Sequence, residues 1–124
     1  MKAEELRIGN WVRIKDEEVK THAQVEGTGN LQHVAGQLWS IEELEPIPLT
    51  EEWLERFNVE WSDWRVTYNK TIDAYEVERK YTSMYGEEWV FMSNVRYIHE
   101  WQNLHFALTG EELQTDKTNQ KVNL

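Results

Sequence analysis

The sequence predicts an α+β fold: an N-terminal small SH3-like β-barrel lobe, a short capped helix, a three-stranded antiparallel meander and a C-terminal helix. Three observations predict it. The first 48 residues hold four or five brief apolar runs broken by glycine turns. Residues 61 to 92 alternate apolar with polar side chains, and Tyr97, Trp101, Leu104 and Leu108 recur with helical spacing.

In "IGNWVRIK", Gly9 and Asn10 make a turn before Trp11 to Lys15, where Val12 and Ile14 share one face and Trp11, Arg13 and Lys15 the other. Asp16-Glu17-Glu18 reads as a polar turn, and "VKTHAQVEG" as a second strand running to the turn Gly27-Thr28-Gly29-Asn30. "LQHV" and "QLWSI" follow as short strands, and "LEPIPL" is extended because proline fixes its own φ and restricts its predecessor. Thr50 is then a fitting N-cap, with Glu51 and Glu52 at the positive end of the helix dipole and Leu49 placed to close over Leu54. Trp53, Leu54 and Phe57 form the apolar face of this helix, and Asn58 suits a left-handed stop. So short a helix must lean on a neighbour. "WRVTYN", "YEVERK" and "EEWVFM" are strands joined by links short enough for a meander. Ile98 to Leu108 forms the last helix, closed by Thr109 and Gly110, while "QTDKTNQKVNL" lacks the bulk to order itself. The implied division is a barrel-like lobe at 1–48, a helix, meander and C-terminal helix sharing one core at 49–113, and a disordered tail at 114–124.

Seven Trp, five Tyr and three Phe in 124 residues supply much of the apolar area. They serve first as core, and Trp11, Trp39 and Trp61 are the ones whose strand phase or loop setting suggests exposure. The net charge of −10 argues against direct nucleic-acid binding, which needs a basic stripe. Seven glutamates against Arg56 alone place six of those charges between residues 42 and 60. Such a patch keeps a chain soluble, and it could also dock a basic protein or mimic DNA toward a host enzyme, with Glu51, Glu52 and Glu55 as its candidate residues. There is no cysteine, hence no disulfide or thiolate chemistry. The N-terminus lacks the apolar run of a signal peptide and no stretch approaches a membrane span, so a cytoplasmic protein without membrane contact is expected.

Reactive constellations are sparse. His99, Glu100 and His105 invite comparison with the zinc-binding His-Glu-x-x-His pattern, but the second histidine comes six residues on, about 240° around a helix. The imidazoles would diverge, and no metal ligand, cofactor site or catalytic residue is assigned. Gly27-Thr28-Gly29 lacks the third glycine and the following helix of a phosphate loop, and reads as a hairpin turn. Gln102 and Asn103 are two amides on a helix that otherwise packs inward. They would either bond the sheet or, with His99, line a polar groove.

"MKAEELRIGNWV", "PIPLTEEWLERF" and "QNLHFALTGEEL" together resemble an uncharacterised family of small proteins encoded by gut bacteria, often in prophage or other mobile regions. In that family the last block usually runs aromatic-Val-His-Gln-Leu-Gln-Asn-Leu-Tyr-Phe-Ala-Leu-Thr-Gly. His99, Gln102, Asn103, Leu104, Phe106, Ala107, Leu108, Thr109 and Gly110 follow it, whereas Glu100, Trp101 and His105 depart from it. The resemblance implies a phage-type accessory protein and no particular reaction.

The expectation is therefore a non-enzymatic module binding a host or phage protein through an acidic and aromatic surface. A second class is an aromatic pocket for a nucleotide or other small molecule, using Gln102 or Asn103 with Arg65, Arg79 or Arg96.

Overall fold

A computed structural model describes residues 1–15 and 22–115, grouped into two compact units. The turn expected at 16–18, the start of the second strand and tail residues 116–124 lie outside the described residues.

The first unit, Met1–Pro48 with Tyr97–Glu112, is built on a curled five-stranded antiparallel sheet. Its strands are β1 (Trp11–Ile14), β2 (His22–Gly27), β3 (Gln32–Val34), β4 (Gln37–Trp39) and β5 (Leu44–Pro46). They run in the order β4-β3-β2-β1-β5, a half-barrel in which the last strand lies beside the first. Alternation does what the sequence leads one to expect: Val12 and Ile14 are buried while Trp11 and Arg13 are half-buried. With Leu6, Val25, Val34 and Leu44 they form one apolar cluster, against which Ala23, Trp39 and Ile41 pack. The β3–β4 hairpin turns on Ala35 and Gly36, both at positive φ, as a two-residue turn matched to strand twist requires.

Helix α2 (Ile98–Thr109) belongs to this unit. The chain leaves the first unit after Pro48 and returns at Tyr97, so the helix does not group with the meander that precedes it in sequence. An antiparallel bridge between Pro48 and Tyr97, followed by Ile98 N–H donating to the Ile47 carbonyl at 2.9 Å, seats its N-terminus. Gly110 closes the helix at φ 77°, where a side chain would be strained.

The second unit holds α1 (Glu51–Arg56), β6 (Trp64–Asn69), β7 (Ala74–Ser83) and β8 (Gly86–Val95). Thr50 caps α1, accepting the Trp53 N–H at 3.3 Å. Trp53, Leu54 and Phe57 are buried beneath it, the Trp53 and Phe57 rings 6.0 Å apart. Asn58 is not the left-handed stop that its type suggested. Phe57 is already extended at φ −84°, bridging Thr115, and the Asn58 N–H donates to the Gln114 carbonyl at 2.7 Å. A second chain segment, rather than a turn, ends the helix. Gln114 and Thr115, placed by sequence in the tail, are therefore held.

The meander has the order β6-β7-β8. β6 accompanies β7 only as far as Trp64 opposite Arg79, whereas β7 and β8 stay paired out to Ser83 and Gly86. The far half of this hairpin is thus a two-stranded ribbon whose Tyr81, Met84 and Tyr85 are exposed.

Candidate functional site

The densest polar cluster lies where α2 meets residues 5–11, entirely within the first unit. Gly9, at φ 97°, bends the chain, and its N–H donates to the Val25 carbonyl at 2.8 Å. Asn10 follows, wholly buried, its Oδ1 accepting the Arg7 N–H at 2.7 Å. A bend this tight leaves peptide groups that the sheet does not pair, and α2 supplies their partners. Gln102 accepts the Trp11 N–H at 2.9 Å and donates to the Gly9 carbonyl at 3.0 Å. Asn103 donates to the Glu5 carbonyl at 2.7 Å and accepts from Asn10 at 2.9 Å and from the Arg7 guanidinium at 2.6 Å. Arg7 also pairs with Glu112 and lies 4.1 Å over the Phe106 ring.

His99 joins the same cluster from the first turn of α2. Its side chain is 1% exposed, with Nε2 3.1 Å from the Glu5 carboxylate. This hydrogen bond, helped by the Lys2 N–H, holds the Glu5 carboxyl below its ordinary value. Glu100 is used locally, its carboxylate accepting the Tyr97 N–H at 3.0 Å. His105 is turned elsewhere: its ring sets an edge against Trp101, centroids 5.7 Å apart, and bonds the Glu111 carbonyl at 3.1 Å. Among the described residues no group of three or more His, Asp or Glu side chains is placed to hold a metal ion.

His99, Gln102 and Asn103, considered together as a possible groove, are thus all taken up by the chain's own N-terminal residues. Gln102 is 1% exposed. Arg7 and Asn10 complete the cluster; the sequence marks Asn10 only as a turn residue and gives no signal for Arg7.

The surface candidates are scattered. Trp39 packs against the first unit's apolar cluster with its indole N–H on the Val34 carbonyl at 3.0 Å, and Trp11 is half-buried. Trp61, 43% exposed, belongs to the second unit, as do Glu51, Glu52 and Glu55, which project into solvent from α1. Sequence reasoning missed Tyr81, Met84, Tyr85 and Phe91, which are exposed on the β7–β8 hairpin. The alternation marks their faces, yet a sequence does not say how far a neighbouring strand extends.

Comparison with protein-family models, curated proteins and solved structures finds no match to this chain.

Proposed function

We propose that this chain is a non-enzymatic, protein-binding accessory protein of a phage or mobile element, acting in the cytoplasm. Its acidic helix α1 and the neighbouring sequence around Trp61 are the recognition surface for a host or phage protein. The observation that carries this reading is the arrangement of α1. Trp53 and Leu54 face inward, while Glu51, Glu52 and Glu55 are exposed and form no ion pair among the described residues. Exposed carboxylates on a helix, with an exposed tryptophan five residues after its end in sequence, suit a partner with basic residues around an apolar cleft.

The small-molecule alternative has less to draw on. It needs amides and cations free to meet a ligand, yet Gln102 and Asn103 are spent on residues 5–11. Arg65 pairs with Glu78 at 2.8 Å, and Arg96 donates to the Ile72 carbonyl at 3.2 Å.

Affinity capture from a bacterial lysate tests the proposal. The wild-type chain should retain one stoichiometric basic protein, released by salt, and the triple variant Glu51→Lys, Glu52→Lys, Glu55→Lys should lose it. An unchanged catch by the triple variant would remove α1 from the recognition surface.

A further inference from the structure

We propose that β8 is a self-pairing edge through which two copies of this chain associate about a two-fold axis near Phe91. β8 has β7 on one side and no strand on the other among the described residues. It is ten residues long, and its sequence GEEWVFMSNV contains neither proline nor lysine; its edge-blunting features are Glu87 and Glu88 at one end and a bulge at Met92, which leave Val90 and Phe91 open between them. Phe91 is 54% exposed in the middle of it.

Charge decides which occupant fits. A chain of net charge −10 repels its own copies, so they can meet only where charge cancels locally. The sheet around Phe91 is such a place. Arg65, Arg79 and Lys80 stand against Glu76, Glu78, Glu87 and Glu88, three cations to four carboxylates and so close to balance. Four of them are already paired, Arg65 with Glu78 at 2.8 Å and Lys80 with Glu87 at 2.7 Å. A basic partner gains little at a sheet so close to charge balance and would be drawn to α1 instead.

The charges along β8 itself choose the register. With the axis at Phe91, each copy's Phe91 lies opposite the partner's Phe91 and Val90 opposite the partner's Met92. Glu88 then faces the partner's Asn94, so the acidic end of each strand runs beside the uncharged end of the other. Sliding the axis to Trp89 would gather the Glu87 and Glu88 carboxylates of both copies around it, which like charges disfavour. A two-fold contact is isologous and consumes both β8 edges, so assembly stops at two copies. Met92 is the extra residue of a bulge, since Val77 pairs with Ser93 and Glu78 with Phe91. Bulges add twist and oppose flat, open-ended stacking.

The absence of cysteine makes the test clean. Light scattering of the intact protein at micromolar concentration should give twice the chain mass of 14.9 kDa. Phe91→Lys should return the single-chain mass with an unchanged circular dichroism spectrum. Phe91→Cys should cross-link to itself on mild oxidation, whereas Thr67→Cys, exposed on β6, should not. A wild-type protein of single-chain mass, a Phe91→Lys variant that still dimerises, or equal cross-linking through Thr67→Cys would each overturn the proposal.

Discussion

Gln102 shows how one side chain can be polar and structural at once. Its two amide atoms meet two backbone groups of a tight bend, Trp11 N–H and Gly9 C=O, that the sheet leaves unpaired. Gln102→Leu keeps the size but removes the oxygen that accepts the Trp11 N–H, while the Gly9 carbonyl keeps the Gln24 amide at 2.9 Å. Losing one buried partner costs about 1–3 kcal/mol, so the variant should lose about that much in urea unfolding. Leu in place of exposed Gln37 should cost almost nothing. Glu5 offers a second test at this scale. Its carboxyl is held below its ordinary value of 4.5 by the His99 hydrogen bond and the Lys2 N–H. A carboxylate with a depressed folded-state value adds stability that is full above the ordinary value and is lost as pH falls through the depressed one. The stability gap between wild type and Glu5→Gln should therefore be constant near neutrality and close below pH 4.5. A gap independent of pH would show that the hydrogen bond does not favour the charged carboxyl.

Among the elements, those whose cause is local were the most legible. The Thr50 cap, the inward Trp53 and Leu54 and the left-handed Gly110 rest on residues within one or two turns, and all stand in the structure. Replacing Thr50 by Ala removes the oxygen that accepts the Trp53 N–H and should cost about 1 kcal/mol in thermal or chemical unfolding, with Thr50→Ser close to neutral. The misreadings concern ends set at a distance. Asn58 is a common left-handed residue, but Gln114 and Thr115, remote in sequence, hold the chain extended there. The strand read in "YEVERK" reaches only Lys80, yet the β7–β8 ladder continues to Ser83 because the partner strand does. Propensity speaks for a residue's own backbone, while strand length is decided by both strands of a pair.

At the scale of the whole molecule, the error was to group by adjacency. The last helix follows the meander in sequence, yet its polar side chains complement a bend some ninety residues earlier, the Asn10–Asn103 contact spanning 93 positions. Apolar periodicity could not reveal this, because an apolar stripe packs on any apolar face, whereas an amide pair meets only donors and acceptors at the right distance. The separation between residues 5–11 and 97–112 carries a measurable consequence. If the bend and the helix fold as one unit, Asn10→Ala and Asn103→Ala remove the same 2.9 Å contact, and the second substitution should cost less once the first is made. A double-mutant cycle should return a coupling of about 1 kcal/mol between them. The same cycle between Asn10→Ala and Tyr85→Ser, a substitution at the exposed tip of the β7–β8 hairpin, should return none within about 0.3–0.5 kcal/mol. Additive costs for Asn10 and Asn103 would mean that the two ends of the chain hold their shapes independently, and the grouping of α2 with the N-terminal sheet would lose its energetic basis.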